Sequence, residues 1–139
     1  VDGLNSVFNA VYGFAHGATS PASIGSNQND YAGFAGGGYG RLTSSGNYNI
    51  TGLSAPANSR NQIKIGCNIG TETINLTSQD TSSTAANRFA LANDDTISVY
   101  PGEMFIEQYD VTSSRWRAGK LSNITRGHVH ALATATYIV

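Results

Sequence analysis

Charge is the scarcest commodity in this chain of 139 residues. Lys and Arg number 8 and Asp and Glu 9, so charged residues make up 12% of the sequence and the formal net charge is −1. That share is about half of what a soluble domain carries. The basic residues are scattered (Arg41, Arg60, Lys64, Arg88, Arg115, Arg117, Lys120, Arg126) and form no block. A nucleic-acid footprint needs them clustered on one face or stripe, so that partner is not expected. The single cysteine, Cys67, excludes an intrachain disulfide and any CxxC metal pair. It sits in "IKIGCNIG" and reads as a small core residue. No apolar run reaches the roughly 20 residues of a membrane-spanning helix, so no membrane is expected as a partner.

The missing charge is replaced by Ser, Thr, Asn and Gly, while hydrophobic residues hold 40%. Disordered chains are poor in apolar residues and rich in net charge, so this chain is expected to fold. The length suits one domain. From residue 47 the apolar period is two. "YNITGL", "NQIKIGCNI", "TINLTS", "RFAL", "TISVY", "EMFIEQYD" and "RWRAG" are short runs bounded by Gly, Pro, Asn, Asp or Ser. Short strands at this spacing indicate an all-β sandwich or barrel. The final "HVHALATATYIV" alternates and reads as a further strand.

Two segments precede these strands. Leu4, Val7, Phe8, Val11 and Tyr12 recur at helical spacing, with Asp2 placed as N-cap and Gly13 just past the end, which predicts a short helix over 1–13. Its apolar face either packs on the sheet or meets copies of itself in an oligomer. Residues 14–46 lack periodicity and read as a glycine-rich arm. Within it, "GFAGGGYG" (33–40) lacks the strand before, the helix after and the Lys-Ser or Lys-Thr of a phosphate cradle. Its glycines, with Tyr31, Phe34 and Tyr39, are expected to let the arm lie flat on a neighbour. The expected division is therefore 1–46, helix and arm, and 47–139, β domain.

Residues 100–117, "YPGEMFIEQYDVTSSRWR", are dense enough to suggest an active site. They read instead as a meander. Pro101-Gly102 suits a type II turn, and Asp110 is placed for an Asx-type bond in the next turn. Met104, Ile106 and Gln108 share one face of the strand and Glu103, Phe105, Glu107 and Tyr109 the other; both faces mix polar and apolar residues, which leaves the buried side open. Glu103 and Glu107 lie about 13 Å apart along a strand, too far for either glycosidase geometry within one strand. No GxSxG appears. His128 and His130 in "HVH" put two imidazoles on one face about 6–7 Å apart. A three-fold axis would bring six together, but two ligands per chain are few, and solvated or interface histidines are the simpler reading. The N-x-[ST] sequons at Asn49, Asn75 and Asn123 arise easily in so Asn- and Thr-rich a chain. No cofactor and no catalytic group is expected.

The segments "IKIGCNIG" (63–70), "INLTSQDTSSTAANRF" (74–89) and "VYPGEMFIEQYDVTSSRW" (99–116) together resemble a module that recurs in bacteriophage virion proteins, both head-decoration or head-fibre proteins and tail fibres or spikes. The resemblance covers residues 52–118 and departs at Gly66-Cys67 and at Val99-Tyr100. It implies a small antiparallel β-sandwich of jelly-roll type and a homotrimer. The implied partners are virion proteins such as a major capsid protein or tail proteins, with a host surface glycan in the second case. Capsid decoration is the first expectation, because a loose N-terminal arm suits laying across neighbouring subunits; a receptor-binding tail fibre is the alternative. In either part, Asn87-Arg88-Phe89 would set Phe89 in the core with Arg88 reaching Asp110 or a neighbouring strand. Tyr109 and Arg115-Trp116 would face each other across the turn as scaffold.

Overall fold

The computed structural model describes residues 17–58 and 60–121. The helix expected over 1–13 (Leu4, Val7, Phe8, Val11), His128 and His130, and the last expected strand lie outside the described residues. Those described form an all-β fold with two single turns of 3-10 helix, Ala85–Asn87 and Ala92–Asp94. The strands are β1 (Ala18–Thr19), β2 (Tyr39–Leu42), β3 (Tyr48–Ile50), β4 (Ile63–Asn68), β5 (Ile74–Leu76), β6 (Ile97–Val99), β7 (Met104–Asp110) and β8 (Arg115–Lys120). They make a five-stranded sheet, β1-β2-β4-β7-β8, and a three-stranded sheet, β3-β5-β6.

Both sheets are mixed, which corrects the antiparallel sandwich expected from the sequence. β1–β2, β2–β4 and β3–β5 run parallel; β4–β7, β7–β8 and β5–β6 run antiparallel. A jelly roll is built from antiparallel pairs, so the parallel half departs from it. The parallel pairs follow a simple rule: each coil of chain stacks in register on the previous one. Ala18 lies beside Tyr39 and Tyr39 beside Ile65. Ile24 bridges to Ser44, Gln28 to Ile50 and Tyr31 to Leu53, and Ile50 pairs with Leu76. The first coil therefore occupies the segment read as an arm. Residues 17–46 supply β1, β2 and the core residues Ile24, Tyr31, Phe34 and Leu42. Bridges and strand pairs run across residue 46, and Tyr31 and Phe34 are buried in the core of their own chain. The arm lacked a strand signal because much of the first coil is held by isolated bridges, which leave no period of two.

Side chains cross the stack in ladders. Asn49 donates its backbone N–H to Asn27 Oδ1 (3.0 Å), Asn75 donates Nδ2 to Asn49 Oδ1 (3.3 Å), and Ser98 donates its hydroxyl to Asn75 Oδ1 (2.8 Å). Two of the three sequons are thus rungs of one amide ladder. The "N-I-T" and "N-L-T" that surround them (49–51 and 75–77) recur because β3 and β5 are successive coils in register.

One core cluster joins the two sheets. Leu42, Phe105, Tyr109 and Trp116 come from the larger sheet and Ile50, Ile74, Leu76 and Val99 from the smaller; Phe89 and Leu53 join from connecting segments. Asn68, fully buried, ties the sheets with Nδ2 bonds to the carbonyls of Val99 (2.9 Å) and Glu72 (2.7 Å) and accepts from the Gly70 N–H. Register partners Gly40 and Gly66 are where rings lie flat on strands. A Cβ on Gly40 would sit 2.1 Å from Phe34 Cε1, and one on Gly66 would sit 2.2 Å from Phe105 Cζ. Phe34 and Phe105 themselves meet edge-to-face at 6.2 Å. This close approach accounts for Gly66 at the point where the sequence departs from the virion pattern. Gly102, at φ +82°, takes the third position of the Tyr100–Glu103 turn, which the Glu103 N–H closes on the Tyr100 carbonyl (3.0 Å), as in a type II turn.

Gly66→Val is expected to displace Phe105 and lower stability by about 1–3 kcal/mol, the usual cost of overpacking. Gly119→Ala, at a site where an added Cβ meets nothing within 4 Å, should leave the urea midpoint nearly unchanged. Equal midpoints for both variants would rule out the ring-on-glycine contact.

Candidate functional site

The residues that carry the virion resemblance converge on one buried junction. Trp116 is fully buried and donates its indole N–H to the Leu53 carbonyl (2.9 Å). Its own backbone continues the coil stack through Phe89: Trp116 N–H bonds the Arg88 carbonyl (3.0 Å), and the Ala90 N–H bonds the Trp116 carbonyl (2.8 Å). Tyr109, directly opposite on β7, meets the indole edge-on with centroids 5.1 Å apart. Phe89 is fully buried beside them. Asn87 accepts the Ala55 N–H at its side chain (2.8 Å) and the Leu53 N–H at its carbonyl (2.9 Å). Arg88 reaches back to the Ser83 carbonyl (2.9 Å) and not to Asp110. Asp110 instead caps its own turn, accepting from the Thr112 N–H (3.1 Å) and the Ser113 hydroxyl (2.6 Å), with Arg117 at 3.4 Å. Hydrogen bonding by Ser113, aided by Arg117, holds that carboxyl below its ordinary pKa. Arg115 bonds Gln79 (3.2 Å). These side chains hold backbone to backbone. Tyr39, in β2, is part-exposed on the outer side of the larger sheet.

The glycine run is a corner between coils. The Gly38 N–H bonds the Gly17 carbonyl (2.9 Å), Gly37 closes a turn on Phe34, and Lys64 donates Nζ to the Phe34 carbonyl (2.5 Å). Beside this corner lies a cleft of about 330 Å³ lined by Ala35, Ser54 to Asn58, Gln62 and Lys64. Hydrogen-bonding side chains and a cation converge on it.

Directly across β4–β7 from Lys64 stands Glu107, which sequence reading left on an unassigned face. The strand buries Phe105, Glu107 and Tyr109 together. Glu107 is 0% exposed, and neither carboxylate oxygen has a hydrogen-bond partner. Burial pushes its pKa up to about 8, with the nearby Lys64 charge pulling the other way. Lys64 is shifted down by its own burial, partly offset by Glu107. Glu103 is held differently: it pairs with Lys120 (2.6 Å), whose ammonium also stands 4.7 Å from the Tyr100 ring centre. The two glutamates that invited a glycosidase comparison thus have different surroundings, one sealed in the core and one in an ion pair. Among the described residues no group of three or more His, Cys, Asp or Glu side chains is placed to hold a metal.

No protein-family model matches the chain, and no curated protein or solved structure matches it either.

Two outcomes follow. Trp116→Ala should cost about 3–5 kcal/mol, because it opens a cavity and orphans the Leu53 carbonyl; Trp116→Phe should recover part of the volume but not the bond. An unchanged melting temperature for Trp116→Ala would contradict a scaffold role. For Glu107, the folded pKa lies above the usual value of 4.5, so its contribution is fully present at acid pH and is lost as pH rises through about 8. Wild type minus Glu107→Gln stability, measured by urea unfolding from pH 5 to 9, should therefore decline by roughly 1.4 kcal/mol per unit up to about pH 8 and level off above it. A difference that is flat or rises with pH would mean that Glu107 is ionised and compensated in the fold.

Proposed function

We propose that this chain is a structural module of a bacteriophage particle, acting as a homotrimer in attachment rather than in catalysis. What supports the reading is the fate of the residues that carry the resemblance. Asn87, Phe89, Tyr109, Asp110 and Trp116 all serve to lock coil, turn and meander together. A pattern spent on scaffolding marks a reusable architectural unit, whose partners bind elsewhere on its surface. For the fold of such a unit we infer parallel stacked coils closed by an antiparallel meander, in place of the jelly roll.

Two placements on the particle carry different weight. Decoration of the capsid, contacting a major capsid protein, drew on an N-terminal arm free to cross neighbouring subunits; the packing of Ile24, Tyr31, Phe34 and Leu42 into the core takes residues 17–46 away from that task. Stacked coils favour the second placement, a tail fibre or spike meeting a host glycan. Coils in register extend along one axis and keep their loops on the flanks, which suits an elongated attachment organ.

Particles lacking this protein separate the two. On the fibre placement they should keep their genome on heating and after osmotic shock but fail to adsorb to cells. On the decoration placement they should adsorb normally and leak at lower temperature, because a trimer that bridges subunits stabilises the shell through summed weak contacts. Particles that are normal in both assays would overturn the virion reading.

A further inference from the structure

Lys64 leaves β4 on the core side of the larger sheet, the side of Gly66, on which the Phe105 ring lies. Its ammonium emerges at the end of that side, lines the cleft of about 330 Å³, and rests on the Phe34 carbonyl. No carboxylate neutralises it there. Among the described residues the ion pairs are Asp110–Arg117 and Glu103–Lys120. Glu107, its register partner, is sealed in the core with neither oxygen bonded. Burial favours the neutral form of that carboxyl, so it offers Lys64 no full counter-charge. Burial also lowers the pKa of Lys64, which means that water solvates its charge poorly. A charge in that condition gains most from an anion brought to it.

The walls of the cleft are held in place by backbone. Ser54 bonds the first coil twice, by its N–H to the Tyr31 carbonyl (3.0 Å) and by its hydroxyl to the Asp30 carbonyl (3.0 Å). The Ala55 N–H is held by Asn87 Oδ1 (2.8 Å) and the Ala35 N–H by the Ala32 carbonyl (2.9 Å). The Gln62 carbonyl accepts the Tyr109 N–H (2.8 Å). The Gln62 side-chain amide bonds no other group among the described residues, and it lies two positions from Lys64, on the same side of the chain. An amide both donates and accepts, which matches a hydroxyl. Alanines and Pro56 make up the remaining wall and leave room that larger side chains would fill. The volume is at the small end for ligand pockets, about 300–1,000 Å³, and suits a single sugar ring.

We propose that this cleft binds one acidic sugar residue, with its carboxylate on Lys64 and its hydroxyls on the Gln62 amide and neighbouring polar groups. The assignment of such a sugar to a surface polysaccharide rests on the attachment reading. The lining holds no aromatic ring on which a neutral sugar could stack, so the carboxylate supplies the recognition. Ala35 forms the wall beside the glycine corner and sets how large a ring can enter.

Nuclear magnetic resonance titration of the full chain at pH 7 tests this. The probes are the methyl glycosides of glucuronic acid and N-acetylneuraminic acid, with methyl glucoside as a sugar without the charge and acetate as the charge without a sugar. At least one acidic glycoside should shift the backbone amide signals of Ala35, Ser54 and Lys64. It should bind about tenfold or more tightly than methyl glucoside or acetate, the worth of one charge-assisted hydrogen bond. Lys64→Gln should weaken it by a similar factor. Ala35→Phe, which fills the exposed mouth and leaves the charge in place, should abolish binding without changing the melting temperature. The proposal is overturned if neither acidic glycoside binds, if methyl glucoside or acetate binds equally well, or if a folded Ala35→Phe protein still binds. Adsorption of particles carrying Ala35→Phe separates this site from the attachment reading. Binding by the pure protein with normal adsorption of the variant particles would keep the site and remove its role in attachment. Failed adsorption of particles lacking the protein, with no binding of any probe, would remove the site alone.

Discussion

Trp116 sits where three kinds of structure must agree. Its ring fills the core between the sheets, its indole N–H satisfies the Leu53 carbonyl at the end of the second coil, and its backbone bonds the strand-like segment around Phe89. A buried carbonyl left without a donor costs about 1–3 kcal/mol, so the indole is as much a polar partner as an apolar filler. Stacked coils have no hairpin to fix their register; each is held by the coil beside it. The Trp116 junction is where the last coil is pinned to the antiparallel meander, and the meander in turn closes the core.

Low charge is consistent with this architecture. Coils stacked at strand spacing bring like residues directly above one another, and like charges so placed would repel. Asn, Ser and Thr can repeat without that penalty, because an amide both donates and accepts. Asn27, Asn49, Asn75 and Ser98 form such a column, and the buried Thr51 and Ser83 hydroxyls pair at 2.7 Å within the same stack. Glu107 is the exception: an acidic side chain sealed in the core with no bond to either oxygen. Burial favours its neutral form, which makes the strand pair β4–β7 one place where pH acts on the fold.

The functional conclusion rests on what these constraints leave over. The most conspicuous stretch of the sequence is consumed by structure, so partners must be sought on surfaces that the core does not claim. The outer face of the larger sheet, with exposed Ile63 and part-exposed Ile65 and Ile106, is one such surface. The cleft beside Lys64 is another, mixed in character. On the proposed reading, a stacked body with such peripheral surfaces would act as a spacer that presents contacts, which is what the proposed placements share.

Strand sequence alone determined a good deal. The period of two located β3 through β8 to within a few residues, since a half-buried strand must alternate. Pro101-Gly102 fixed a turn, because only a residue tolerant of positive φ closes it that way, and Asp110 fixed the next through bonds to its own backbone. Tertiary structure decided the rest. The direction of strand pairing depends on which coil lies beside which, and nothing local to β2 or β4 encodes that; the repeated Asn-aliphatic-Thr at 49–51 and 75–77 was its one legible trace. The first coil was hidden because isolated bridges leave no period, and its core residues Ile24, Tyr31 and Phe34 are spaced by glycines and polar residues. Which face of β7 is buried could not be read from a strand that is mixed on both sides. It is set by Phe105 lying on Gly66 and by Trp116 opposite Tyr109, contacts between residues brought together only when the chain is folded.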